Sequence, residues 1–103
     1  MTYKVIVTES AEKDIDSIIS YIVNELQNKS VALSLIDSIE SKYDILAENP
    51  YSFEKSRQLA LMHRGYRRVV IDNYVLLYLV DDSKYSVTIA RVFYGRQDYQ
   101  HYI

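Results

Sequence analysis

Hydrophobic residues in the first half of the chain recur with the spacing of helices. A short β-branched segment, YKVIVT at residues 3–8, comes first and predicts a strand. After it, apolar positions are separated by four, three or one residues, which places them on one side of a helix. We predict that this helix begins at Thr8 or Ser10, since both residues are good N-caps. Its apolar positions are Ala11, Ile15, Ile18, Ile19, Ile22, Val23 and Leu26.

A second stripe with the same spacing follows the polar segment QNKS at residues 27–30. We predict that Asn28 takes the left-handed conformation that ends the first helix. Pro50 ends the second helix, because proline cannot continue a helix and disfavours it at the preceding residue. The short connection predicts two antiparallel helices that each present one apolar face. The second stripe consists of Ala32, Leu35, Ile36, Ile39, Tyr43 and Leu46.

The second half of the chain is rich in β-branched and aromatic residues. Three such segments, at 66–72, 74–80 and 85–94, are joined by the turn sequences DN and DDSK, which predicts an antiparallel meander. The segment SRQLALMHRG at 56–65 is a candidate for one more strand. We therefore predict an α+β fold in the order β-α-α-β-β-β, formed as one domain over residues 1–103. An antiparallel sheet of about four strands carries the N-terminal helical hairpin on one face, and its other face is open.

Composition narrows the functional classes. The chain has 103 residues and no cysteine, which excludes disulfides and thiolate chemistry. It has no apolar run long enough to span a membrane and no secretory leader pattern, so we expect a cytoplasmic protein without a membrane partner. Its two histidines, His63 and His101, lack metal-site spacing, and we expect neither a metal nor another cofactor.

Charge divides the chain into an acidic and a basic half. Residues 1–54 carry four lysines against ten acids, whereas residues 55–103 carry eight Lys or Arg against four acids, within a net charge of −2. By strand alternation, Arg67 and Arg68 point to opposite faces of the sheet. Arg91 shares a side with Ile89 and Phe93 unless a bulge intervenes.

Arginine and aromatic side chains therefore form the candidate site. Such a cluster can hold phosphates and stack on bases, or it can anchor a protein interface. The plainer alternative is that the tyrosines rim the sheet and that Arg96 and Asp98 form a local ion pair of little energetic value. The candidates are Arg67, Arg68, Arg91, Tyr94, Arg96, Asp98, Tyr99, His101 and Tyr102.

The succession of motifs resembles the RelE/ParE superfamily of toxins from bacterial type II toxin–antitoxin modules. The similarity runs from Ala11 and Asp14 in the first helix through GYRR and NYVLLY at 65–78 to IARVFYGRQD at 89–98. The last motif is similar to the H-G-R-x-D ending of the ParE-like branch, with Tyr94 where histidine is frequent. The resemblance implies a toxin that arrests growth and a cognate antitoxin as its partner.

Two targets are implied by the superfamily. ParE-like members inhibit DNA gyrase, whereas RelE-like members cut messenger RNA on the ribosome without a metal. For a nuclease, we expect His101, Tyr94 and Arg96 to be catalytic. The ending and Val75, which stands where RelE-like chains often carry arginine, favour the gyrase target. A third possibility is a chain that has lost toxicity and only binds antitoxin. For binding, the candidates are Arg67, Arg68, Arg91, Asp98, Tyr99 and Tyr102.

Overall fold

Helices and strands follow one another in the predicted order, with one addition. The computed structural model describes residues 2–95. A π-helical turn at Tyr21–Glu25 extends the first helix, and a short third helix precedes the last three strands. The elements are β1 (Lys4–Val7), α1 (Glu9–Ser20), α2 (Lys29–Glu48), α3 (Leu59–His63), β2 (Arg67–Ile71), β3 (Tyr74–Asp81) and β4 (Ser86–Tyr94).

The four strands form one sheet in the order β1-β4-β3-β2. β2, β3 and β4 make the predicted antiparallel meander. β1 runs parallel to β4, with Val5 opposite Val87, so the sheet is mixed and not wholly antiparallel as expected. Parallel neighbours require a long crossover connection, and the helices and strands between β1 and β4 provide it. The α+β class and the helical hairpin on the sheet are confirmed.

Side-chain caps set the ends of the two long helices. The backbone N–H of Ala11 donates to the Thr8 hydroxyl oxygen (3.1 Å), which confirms Thr8 as the N-cap of α1. The left-handed residue between the helices is Gln27 (φ 50°), so the prediction for Asn28 is wrong. Asn28 instead caps α2 by accepting a hydrogen bond from the Val31 N–H (3.1 Å), and this role holds it at a negative φ.

The main core lies between the helical hairpin and the sheet. Tyr78 at the centre of β3 is fully buried, and its hydroxyl donates to the Pro50 carbonyl (2.7 Å) just beyond the end of α2. This bond ties the middle of the sheet to the end of the hairpin. The core side chains are Ala11, Ile22, Ala32, Leu35, Ile39, Leu46, Val69, Ile71, Leu76, Tyr78, Val87, Ile89 and Val92.

The other sheet face is not open, because the chain covers part of it. Residues 59–63 form α3 and not the possible extra strand. Gly65 (φ 89°) ends α3, with its N–H bonded to the Met62 carbonyl and the Tyr66 N–H bonded to the Leu61 carbonyl. This turn carries Leu61 and Tyr66 onto the sheet. A second, smaller core results, formed by Leu61, Tyr66, Val75, Leu77 and Phe93.

Candidate functional site

Arg67 and Arg68 lie on opposite faces of β2, as strand alternation predicts. Arg67 shares the helical side with Val69 and Ile71, which belong to the main core. Its guanidinium donates to the Phe53 carbonyl (2.8 Å) and lies 4.7 Å from the centre of the Tyr51 ring. Arg67 is thus held in place by a carbonyl and an aromatic ring, with its charge near the end of the sheet.

Arg68 lies on the sheet face opposite the helical hairpin, which we call the second face, and it forms an ion pair with Glu54 there. Its Nη1 donates to Glu54 Oε1 (2.9 Å), and the same oxygen accepts from Arg57 Nε (2.9 Å). The side chain is mostly buried, and its Nε has no hydrogen-bond partner. A buried donor without an acceptor costs about 1–3 kcal/mol. Arg68 is therefore a constrained side chain and not a mobile surface cation.

Arg91 is bound to the first helix. Its Nε and Nη2 donate to the two carboxylate oxygens of Asp14 (2.7 and 2.9 Å), and the Val92 N–H donates to the same carboxylate (3.0 Å). The guanidinium carbon lies 4.6 Å from the centre of the Phe93 ring. Asp14 thus joins α1 to β4, a contact that the sequence analysis missed because the two partners are 77 residues apart.

A β-bulge in β4 puts Arg91 on the second face of the sheet, opposite to Ile89. Leu77 lies opposite Arg91 and Tyr78 lies opposite Ile89, so Ala90 is an extra residue in β4. Ile89 therefore faces the main core, whereas Phe93 faces the second core. Arg91 therefore does not share one side of the sheet with both Ile89 and Phe93. The bulge that the prediction named as the exception is present.

Tyr94 is exposed at the end of β4, beside the first residue of β3, whereas Arg67 begins β2 and lies beside the middle of β3. The Tyr94 ring makes an edge contact with Tyr74 (6.0 Å between ring centres), whereas Arg67 pairs with Tyr78. Four residues of strand separate these positions, or about 13 Å. The predicted cluster is therefore spread along the sheet. The candidates Arg96, Asp98, Tyr99, His101 and Tyr102 lie outside the described residues.

A tyrosine–aspartate–tyrosine cluster joins three distant parts of the chain. The hydroxyls of Tyr3 and Tyr51 each donate to one carboxylate oxygen of Asp82 (2.6 Å for both). Tyr3 precedes β1, Tyr51 follows α2, and Asp82 lies in the turn between β3 and β4. No local spacing signals this contact, so sequence analysis had no means of finding it. The cluster also fixes the ring on which Arg67 lies.

Two kinds of feature are missing from residues 2–95. No three side chains among the described His, Asp and Glu residues converge on a point where they could hold a metal ion. None of the helices in this part of the chain combines the length and apolar character needed to cross a membrane. The contacts that organise the site are thus ion pairs, hydroxyl–carboxylate bonds and aromatic rings.

Comparison with known proteins identifies the family. The model of the family described as "ParE toxin of type II toxin-antitoxin system, parDE" matches residues 5–99. The chain belongs to this toxin family. Among curated proteins, none matches the sequence of the toxin.

Solved structures of both branches of the RelE/ParE superfamily share the fold of this toxin. The ParDE system of P. aeruginosa has a TM-score of 0.70 at 18% identity, covering 90% of this chain and 96% of that one. A mutant of E. coli toxin RelE in the free state has a TM-score of 0.69 at 18% identity, covering 99% and 93%. The RelBE2 complex of Mycobacterium tuberculosis has a TM-score of 0.59 at 21% identity, covering 91% and 99%.

The Asp82 cluster gives the toxin a testable dependence on pH. Hydrogen bonds from Tyr3 and Tyr51 hold the pKa of Asp82 below its ordinary value of 3.8. Because the folded pKa is depressed, the cluster contributes its full stability above pH 3.8 and loses it as pH falls through the folded pKa. In urea titrations over a pH series, we expect wild type to exceed Asp82→Asn in stability at neutral pH, and the difference to shrink in acid.

The hydroxyls supply the control for this experiment. Tyr3→Phe combined with Tyr51→Phe should remove the same acid dependence, because the donors are lost while the rings remain. Tyr85→Phe should retain it, since the Tyr85 ring contacts Tyr3 but its hydroxyl does not bond to Asp82. Equal acid dependence in wild type and Asp82→Asn would contradict the assignment.

Proposed function

We propose that this toxin arrests bacterial growth by inhibiting DNA gyrase, in the manner of the ParE-like branch. The observation that carries the proposal is the apolar character of the middle of the sheet. Val75, Leu77 and Phe93 face the side opposite the helical hairpin, and all three are buried in the second core. The middle of this face is therefore a packed apolar centre and does not supply the cations that RNA cleavage requires.

Metal-free RNA cleavage has specific chemical requirements. A base must take the 2′-hydroxyl proton, an acid must protonate the leaving oxygen, and cations must stabilise the charge on phosphorus. On this face the described arginines are bound to carboxylates, Arg68 to Glu54 and Arg91 to Asp14. Their charges are therefore partly compensated, which supports inhibition by binding over catalysis.

The binding surface proposed for the target combines two separate parts of the sheet. Tyr94 is exposed at the end of β4, and Arg67 lies at the beginning of β2. Tyrosine and arginine are enriched among residues that dominate protein interfaces. We propose that Arg96, Asp98, Tyr99 and Tyr102, which follow β4 in the chain, also contribute to target binding.

The toxin's other partner is proposed to be a cognate antitoxin. Two of the similar solved structures are described as a toxin–antitoxin complex and a ParDE system, and the family match places this chain in a toxin–antitoxin module. A stable complex of ordinary size covers about 800 Å² on each partner. The acidic first half and the basic second half offer the antitoxin surfaces of opposite sign.

Pulse labelling after induction tests the proposed target. Within minutes of expression without antitoxin, we expect DNA synthesis to fall first while messenger RNA stays intact. With purified gyrase, we expect the toxin to block supercoiling. Soluble expression with normal growth would contradict any toxin function. That result would support the third possibility, a chain that has lost toxicity and only binds antitoxin.

The alternative is a ribosome-dependent endonuclease that cleaves messenger RNA. One observation favours it: Tyr94, which is exposed, precedes Arg96 and His101 in the chain, and these two residues are candidates for phosphate binding and proton transfer. In that case protein synthesis stops first, messages are cut at ribosome-bound positions, and His101→Ala or Arg96→Ala abolishes cleavage. Intact supercoiling activity together with cut messages would decide for the nuclease.

A further inference from the structure

A pocket with basic walls opens at the end of the sheet where β2 begins. Its volume is about 260 Å³, and it is lined by Tyr51, Lys55, His63 and Arg67 together with the apolar side chains of Met62 and Val80. We call it the basic pocket. It is formed by the turn after α2, the segment that bridges to β2, and the end of α3. No carboxylate of residues 2–95 lines it.

The two permanently charged side chains of this pocket, Lys55 and Arg67, differ from the arginines on the second face of the sheet. Arg68 and Arg91 bind Glu54 and Asp14, whereas Lys55 and Arg67 have no carboxylate partner within residues 2–95. An anion that enters the pocket therefore does not have to displace an internal partner. Arg67 is half-buried, so water screens its attraction to such an anion less than it screens that of an exposed cation.

Arg67 is already oriented before any ligand arrives. Its Nη1 donates to the Phe53 carbonyl, and its guanidinium lies on the Tyr51 ring. Tyr51 is fixed in turn by its hydroxyl, which donates to Asp82 (2.6 Å). A guanidinium held in one orientation loses little entropy on binding, and its fork of donors suits a carboxylate. The pocket is thus arranged to bind a single anionic group.

We infer that the basic pocket binds an acidic side chain of the antitoxin; this inference rests on the antitoxin partnership proposed above. The apolar surface of Met62 and Val80 suits the methylene groups that carry a carboxylate. A nucleic acid strand fits less well, since its affinity comes from a series of phosphate contacts along a basic track. Here two permanently charged side chains share one small pocket on a chain of net charge −2.

Titration calorimetry of the purified toxin with its cognate antitoxin tests the inference. We expect Lys55→Gln to weaken binding roughly tenfold and Arg67→Gln roughly tenfold to a hundredfold, as for hydrogen bonds to charged groups. Lys55→Gln should also reduce the salt dependence of the affinity. Arg57→Gln is the matched control, because it removes the same charge two residues away from a side chain outside the pocket. It should change affinity less than twofold.

The variants separate a binding role from a folding role. Arg67→Gln also removes the hydrogen bond to the Phe53 carbonyl, whereas Lys55 is exposed and has no hydrogen bond or ion pair within residues 2–95. Wild-type antitoxin affinity in Lys55→Gln overturns the inference. Weaker binding of that variant to a single-stranded RNA oligonucleotide, with antitoxin affinity unchanged, overturns it in favour of a nucleic-acid site.

The proposed function can fail independently of this inference. The toxin could arrest growth through gyrase while both pocket variants bind the antitoxin as tightly as wild type. That result would support the proposed function and contradict the pocket inference. Conversely, a chain that leaves gyrase and messages untouched but loses antitoxin affinity in both variants supports the pocket alone. The induction experiment and the titrations therefore report on separate claims.

Discussion

Replacing Asp14 by alanine is expected to lower the free energy of unfolding by about 2–3 kcal/mol. The Asp14 carboxylate accepts two hydrogen bonds from Arg91 and one from the Val92 N–H, and it is only 16% exposed. Its removal takes a charged partner from a mostly buried guanidinium and an acceptor from the backbone of β4. Urea unfolding followed by circular dichroism measures the loss, which for a domain of this size corresponds to about 4–8 °C of Tm per kcal/mol.

An exposed ion pair of α1 provides the matched control. Lys13 Nζ lies 3.0 Å from Glu9 Oε1, but the side chains of Glu9 and Lys13 are 82% and 74% exposed. Glu9→Ala should therefore change stability by less than about 1 kcal/mol. Asp14→Asn, which keeps an acceptor oxygen but loses the charge, should fall between the two. Similar small losses in Asp14→Ala and Glu9→Ala would show that the α1–β4 contact contributes no more than a surface pair.

The hydrophobic pattern predicted most of the fold because burial is a strong and repetitive signal. The helical stripes place Ala11, Ile22, Leu35 and Ile39 in the main core, as observed. It did not predict α3, since a single buried leucine in a five-residue helix leaves no periodicity. It did not place β1 parallel to β4 either, because alternation specifies which face of a strand is buried and not the direction of its neighbour.

The candidate site was predictable only where it depended on local geometry. Alternation separated Arg67 from Arg68 correctly, and it allowed for a bulge near Arg91. The partners of these arginines come from elsewhere in the chain, Asp14 from α1 and Glu54 from the segment before α3, and no spacing in the sequence signals such contacts. The same holds for the Asp82 cluster.

Folding also changes the meaning of the charge asymmetry. The acidic first half supplies Asp14 and Glu54, and the basic second half supplies Arg91 and Arg68, so the opposite charges of the two halves are partly paired inside the molecule. The basic surface expected from the sequence is correspondingly reduced. Lys55 and Arg67 escape this pairing within the described residues, which is why the basic pocket retains its charge.

Replacing Leu61 by alanine is expected to destabilise the fold by about 2–4 kcal/mol. Leu61 is 1% exposed and is the side chain through which α3 packs into the second core with Val75, Leu77 and Phe93. A helix of five residues is too short to be stable without tertiary contacts, so loss of this anchor should release α3 and expose the sheet beneath it. Urea unfolding gives the energy, and faster amide hydrogen exchange in β3 reports the exposure.

Leu59 in the same helix is the matched control, because the substitution is identical and the side chain is 67% exposed. Leu59→Ala should leave stability within about 0.5 kcal/mol of wild type. Equal effects of the two variants would mean that α3 does not hold the second core together. A large effect confined to Leu61→Ala would mean that the toxin must keep α3 docked to hide the apolar middle of its sheet.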